Sequence, residues 1–480
     1  MNIQLTLRIL GALLLFLAAA LLFPIPFSLY YADGAALAFI WSSSISFLVG
    51  LILFRLCQSD RELSVREGFA IVTFGWLFYA IFGALPFLLS GTIPAPLDAM
   101  FETMSGFTTT GASILTRIEG LPESILLWRS LTQWLGGMGI IVMSLAILPM
   151  LGVGGMQLFK AEVPGPTADR LKPRIQDTAK LLWGVYVLLT AAETILLMFG
   201  GMSLHDALCH SFATLATGGF SSRNASVGAY NSAYIDWVVT LFMFLAGVNF
   251  SLHYHALRGR LRQLHRNEEF RVYLGITLIA IAALFIFNFS SVYDSFADNL
   301  RYSAFQTVSI MTTTGFATAD YEGWSVAAQY LLVLLMFIGG CAGSTGGGMK
   351  VARILLLFKH AHVQLFRLIH PRAVRLVKLG NIPVDREVMQ AILGFFALFM
   401  GIFVVASLLM AASGMDLVSS GAAVIATLSN IGPGLGSVGP ADNYAHIAPF
   451  GKTVLMFCML LGRLELFTVL VLFFPTIWRK

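Results

Sequence analysis

Long apolar runs alternate with short polar connections along this chain, and the runs come in two lengths. The longer ones lie near 9–30, 35–55, 67–91, 125–150, 179–201, 234–256, 271–290, 326–357, 388–412 and 450–474. Each holds roughly 18 or more mostly apolar residues, enough for a helix to cross a hydrocarbon core of ~30 Å. The pattern therefore predicts ten spanning helices. The eighth is too long and too rich in glycine to be one straight helix. The short alternating strands of an outer-membrane barrel do not occur in the pattern.

The shorter runs are "APLDAMFETMSGF", "LHDALCHSFATLA", "FADNLRYSAFQTVSIM" and "LVSSGAAVIATLS", in the segments 92–124, 202–233, 291–325 and 413–449. Each is too short to span, so each predicts a re-entrant helix that enters the membrane and turns back. Every one ends on a glycine phrase: "TTTGAS" around Gly111, "LATGGFS" around Gly218, "TTTGFAT" around Gly315 and "SNIGPG" around Gly432. The glycines are 107, 97 and 117 residues apart, and a second glycine follows in the next spanning helix, at Gly136, Gly247, Gly339 and Gly462. The chain reads as four repeats of helix, half-helix, glycine loop and helix. A two-helix region, 1–60, precedes repeats over 61–160, 161–262, 263–370 and 371–480. The fold class is thus an all-α polytopic membrane protein with pseudo-fourfold pore repeats.

Composition agrees with the pattern. The 480 residues are 57% hydrophobic and 11% charged, with a mean hydropathy of +0.81, which excludes an ordinary soluble domain. Charge adds an orientation. With the N-terminus inside, the inner segments hold 23 of the 30 basic residues, and the outer segments hold only Arg117, Arg129, Arg223 and Arg301. This asymmetry predicts both termini in the cytoplasm. It also accounts for the net charge of +5 without a nucleic-acid partner. Cys57, Cys209, Cys341 and Cys458 are scattered without CxxC spacing, so neither a disulfide framework nor a metal site is expected. The first apolar run reads as a retained helix rather than a signal peptide.

Irregular backbone at membrane depth is tolerated where it lines a watery path, and glycine reaches backbone angles closed to other residues. Four glycine-tipped loops around one axis can present a ring of carbonyl oxygens that replaces the hydration shell of a monovalent cation. The half-helices would point their partly negative C-terminal ends at that ring. Glu119, Glu123, Asp206, Asp294, Asp298, Asp320, Glu322, Asp416 and Asp442 lie in the outer segments and predict an acidic mouth. Glu102 sits inside the first half-helix and is expected to buttress the loops. Two motifs mislead. "GLGSVG" (434–439) fits GxGxxG but follows no strand, and "GCAGSTGGGMK" (340–350) lacks the Gly-Lys-Ser/Thr of a phosphate loop. No nucleotide or other organic cofactor is expected on this chain, and no nucleophile–base set marks an enzyme.

The four glycine phrases, the glycine-rich break in the eighth helix and "LGRLELFTVLVLFFP" near the end resemble the Trk/Ktr/HKT potassium-transporter superfamily. The two extra N-terminal helices resemble its bacterial TrkH-type subunit. The resemblance covers essentially the whole chain. It implies potassium as the transported ion, a homodimer with a pore in each protomer, and a cytosolic nucleotide-binding regulatory ring of the TrkA type. It implies the bacterial inner membrane as location. The filter would be Thr109, Thr110, Gly111; Ala216, Thr217, Gly218; Thr313, Thr314, Gly315; and Asn430, Ile431, Gly432. Serine at the first glycine accompanies sodium-permeable members, so Gly111 favours potassium. The intramembrane gate would be the loop carrying Gly339, Gly340, Gly343, Gly346, Gly347 and Gly348, with Lys350 at its lower edge and Arg463 projecting below the filter. The basic stretch 359–386 would help dock the ring. The alternatives are a sodium-permeable or sodium-coupled member of the same fold, or a secondary transporter with broken helices, which predicts inverted repeats.

Overall fold

The computed structural model describes residues 2–57, 65–139, 175–373, 375–380 and 382–478. It is almost wholly helical. The one sheet among the described residues is a two-stranded hairpin pairing Lys378–Leu379 with Ile382–Pro383. Among the described residues six helices are long and apolar enough to cross a membrane, and two bent pairs raise the number to eight. Of the ten expected, the run 125–150 passes out of the described residues at 140, and 326–357 is two helices, Val326–Ile338 and Val351–Ile369.

The four short runs form pore helices 1 to 4, Pro96–Phe107, Leu204–Leu215, Phe296–Met311 and Leu417–Leu428. A 12-residue helix is about 18 Å long, well short of the hydrocarbon core. Local chemistry sets both ends. Pore helix 1 starts on a proline at its first position, Ser203 and Ser295 cap pore helices 2 and 3, and Asp416 caps pore helix 4 through the N–H groups of Val418 and Ser419. Each helix stops because a residue shortly beyond it turns left-handed: Thr109, Thr217, Thr313 and Asn430 have φ of 53°, 52°, 62° and 55°.

The second helix of every repeat with described residues at that point is interrupted where it meets a pore helix. The first passes through a π-helical turn, Leu135–Gly139. The second and fourth were expected to be continuous over 234–256 and 450–474. They bend by 105° between Ala233–Ala246 and Phe250–Leu257, and by 116° between Pro449–Arg463 and Leu466–Phe473. Close approach explains the breaks. A Cβ on Gly136 would fall under 3.0 Å from the Phe107 carbonyl, and one on Gly462 under 3.0 Å from that of Leu428, each at a pore-helix end. Asn249 is part of the bend, since its side chain caps the new helix by accepting from the Ser251 N–H at 2.8 Å. His253, in the second helix of that bend, is buried, with Nε2 2.8 Å from the Leu245 carbonyl.

The two N-terminal helices, Ile3–Ala20 and Ala36–Leu56, cross at Gly11 and Gly50, where each glycine faces the other's carbonyl. Asp33 ties this pair to repeat 1, accepting from the Ser124 N–H at 2.9 Å and its hydroxyl at 2.6 Å.

Candidate functional site: a glycine ring and the loop beneath it

The chain leaves all four pore helices in the same way. The N–H groups of Thr110, Gly218 and Thr314 donate to the carbonyls of Ser105, Ala213 and Ser309 at 2.8 Å, and that of Ile431 to Ala426 at 2.7 Å. The next residue has positive φ each time: Gly111 (79°), Gly219 (75°), Gly315 (82°) and Gly432 (95°). The geometric counterpart of Gly111 is therefore Gly219, one residue beyond the glycine chosen from the sequence. Gly218 takes the place of Thr110, Thr314 and Ile431. Two adjacent glycines left the register open in the letters, and the backbone angles close it.

These glycines form a cycle. A Cβ on Gly111 would fall under 3.0 Å from the carbonyl oxygen of Gly218, on Gly219 from Thr314, on Gly315 from Ile431, and on Gly432 from Thr110. Each loop thus leans on the next in chain order, and the fourth returns to the first. Any side chain at these positions would be strained by its φ and would displace a neighbour's carbonyl.

Buried polar contacts hold the loops. The hydroxyl of Thr108 lies 2.8 Å from that of Thr110, and Thr312 and Thr314 repeat the contact at 2.8 Å. Asn430 Nδ2 donates to Thr110 Oγ1 at 3.0 Å, joining the fourth loop to the first. The Tyr444 hydroxyl donates to the Gly432 carbonyl at 2.6 Å. Glu102 accepts from Arg129 Nε at 2.8 Å and the Ile114 N–H at 2.9 Å. Arg129 also donates to the Ser221 carbonyl at 3.1 Å and lies over Phe220, 4.0 Å from the ring centre. Glu102 therefore bonds the chain just past loop 1, and its partner arginine bonds the chain just past loop 2.

Above the ring lies a cavity of about 240 Å³ lined by all four ring glycines, with Arg129, Arg223 and Asp442 among its walls. Asp442 is the one acid of the expected acidic mouth that lines it. Others are used locally: Asp206 pairs with Arg223 at 3.3 Å, Asp298 with Arg301 at 2.9 Å, and Glu119 accepts from the Asn224 N–H.

Below the ring runs the loop 339–350, and it touches the ring directly. The Gly347 N–H donates to Thr313 Oγ1 at 2.6 Å, and the Gly348 N–H to the Ser429 carbonyl at 3.1 Å. Thr345 Oγ1 donates to the Leu215 carbonyl at 2.9 Å, at the end of pore helix 2. The Cys341 N–H donates to Gly247 O at 2.8 Å, and the Phe250 N–H to Gly343 O at 3.1 Å, so the bend in repeat 2 holds the loop's entry. Glu269 accepts from Ala342 at 2.7 Å and Ala352 at 3.2 Å, one on each flank. Arg463 donates to the Thr345 carbonyl at 2.7 Å and to those of Gly136 and Gly137 at 2.6 and 2.7 Å. Lys350 Nζ donates to the Gly346 carbonyl. Glu465, two residues beyond Arg463, pairs with Arg353.

The model of the TrkH family, described as a cation transport protein, matches residues 36–480. The chain belongs to the TrkH family. The Trk system potassium uptake protein TrkH of Salmonella typhimurium is 46% identical, over 98% of this chain and 99% of that protein. The TrkH of Halomonas elongata is 43% identical, with both chains fully covered. The crystal structure of the potassium transporter TrkH from Vibrio parahaemolyticus matches with a TM-score of 0.90 at 40% identity, covering 100% of each chain. This TrkH-family chain is therefore a multi-pass membrane protein of the cation-transport class. Gly219, Thr345 and the Arg353–Glu465 pair were not singled out from the sequence. Pairings across 112 residues leave no local signature, whereas Gly219 stood beside the chosen glycine.

Proposed function

We propose that this chain is the pore subunit of a potassium uptake system. Potassium descends from the outer cavity through the ring, where carbonyls of the four loops replace its water, and then past the 339–350 loop and Arg463. The observation that supports this best is the closed cycle of four glycine loops. A carbonyl ring suits a monovalent cation because it offers several moderate dipoles in place of water without a fixed countercharge. The ring carries one filter glycine per repeat, and Gly111 keeps the residue that the resemblance associates with potassium.

The loop 339–350 acts as the gate in this reading. Its bonds to Thr313, Ser429 and Leu215 hold it under the ring, and the arginine fixes it to repeats 1 and 4. Lys350 and Arg463 add positive charge where a cation must pass. The protein works as a homodimer in the bacterial inner membrane with both termini in the cytoplasm. A cytosolic nucleotide-binding ring of the TrkA type moves the loop aside, docking partly on 359–386. The chain needs no organic cofactor.

Flux into proteoliposomes tests the reading. Potassium and rubidium should pass well above sodium once the gate is relieved by the partner, and Gly111→Ser should erase the difference. Equal sodium flux in the unaltered protein would overturn the potassium assignment and favour the sodium-permeable alternative.

A further inference from the structure

The four loops are held by different means, and loop 2 is the exception. In loops 1 and 3 the residue before the ring glycine is a threonine, whose hydroxyl meets that of Thr108 or Thr312 at 2.8 Å. In loop 4 it is Ile431, which is fully buried. In loop 2 it is Gly218, which has no side chain to anchor it. The space is filled from outside the repeat. A Cβ on Gly218 would fall under 3.0 Å from Cδ, Oε1 and Nε2 of Gln133. Gln133 is fully buried, donates from Nε2 to the Gly218 carbonyl at 2.6 Å, and accepts at Oε1 from the Phe220 N–H at 3.0 Å. The two partners, one acceptor and one donor, fix which end of the amide faces which.

We infer that Gln133 is a specificity-determining positioning residue, which stands in for the missing loop-2 side chain and sets the Gly218 carbonyl of the ring. The inference rests on the filter reading above. The sequence supports it independently. Gln133 lies three residues before the helix glycine Gly136, and the same offset from Gly247, Gly339 and Gly462 gives Phe244, Met336 and Met459. Only repeat 1 carries an amide there, and its bonds reach the one loop that lacks a side chain at the ring. A hydrogen bond from the amide draws on the Gly218 carbonyl's lone pairs and limits its rotation. That restrains loop 2 at the ring and ties the residue at 133 to the residue at 218. A threonine at 218 requires a small residue at 133.

The test is the ratio of rubidium to sodium flux, with the apparent KM for rubidium, in proteoliposomes of the gated complex. Gln133→Leu and Gln133→Met keep the volume and remove both bonds. Each should lower the ratio about tenfold, equivalent to ~1.4 kcal/mol, while the protein remains monodisperse. Gly218→Thr alone should block flux, and Gln133→Ala with Gly218→Thr should restore it. Wild-type ratio and KM in both volume-matched variants, failure of both to yield folded protein, or no relief in the double variant would overturn the inference. Gly111→Ser, run in parallel, separates the two levels. If it too leaves the ratio unchanged, the filter reading itself fails; if it alone changes the ratio, the fault lies with Gln133.

Discussion

At the scale of single residues, the two buried charges beside the ring are paired with each other. Glu102 and Arg129 are both essentially unexposed, at 1% and 2%, and besides each other they bond the chain just past loops 1 and 2. Removing one partner of such a pair strands the other in a low-dielectric interior. Arg129→Met should therefore cost about 3–5 kcal/mol of stability, seen as a lowered thermal midpoint in detergent, and Glu102→Gln should lower it in the same direction. Glu102 was recognisable as a buttress from its position inside a half-helix. Arg129 was not, because in the letters it is simply one of four basic residues in the outer segments. The spacing of 27 residues between them acquires meaning only when pore helix 1 and the next helix are packed.

Among the elements, short helices and broken helices work together. A pore helix stops at membrane depth because a left-handed residue ends it, and the neighbouring long helix must break to come close enough to seal it. The half-length runs were visible in the hydropathy pattern, whereas the breaks at Gly247 and Gly462 were not, because the apolar composition continues through them. The gate loop shows the same dependence on close contact. A Cβ on Gly347 would fall under 3.0 Å from the Ser429 carbonyl, so Gly347→Ala should push the loop off the ring. Basal rubidium flux without any partner should rise several-fold in proteoliposomes. The N-terminal pair offers a prediction in pH. Burial pushes the Asp33 carboxyl up, but hydrogen bonds from the Ser124 and Ser28 side chains and from the Ser124 and Ala35 N–H groups outweigh it and hold the group below its ordinary range. The tether's stabilisation is then full above the unfolded pKa of about 3.9 and is lost as pH falls through the lower folded value. The thermal midpoint of the natural chain should fall more steeply below about pH 4 than that of Asp33→Asn.

For the whole molecule, four non-identical repeats close one ring. Their order around it follows the chain, since each glycine abuts the next repeat's carbonyl. The fourfold plan was legible in the recurring phrases because each one ends a half-length run and precedes a glycine in a long one. What was not legible was the register within repeat 2, which rests on a backbone angle rather than on a residue type. That register has a measurable consequence. Gly219→Ala should reduce rubidium-over-sodium selectivity as strongly as Gly315→Ala, since both place a methyl group against a ring carbonyl. A flux assay in which Gly219→Ala kept wild-type selectivity would return the role to Gly218.

The gate loop donates hydrogen bonds to Thr313 and to the Ser429 carbonyl, groups within the same loops that form the ring. In the proposed reading, gate and filter are therefore held by the same two loops, through different atoms. Thermodynamic reciprocity then applies: whatever displaces the loop alters the ring's hold on its ion, and occupancy of the ring alters the ease of displacement by the same factor. Under the proposed function the permeating cation would then also be an effector. External potassium concentration should then shift the open fraction as well as the driving force.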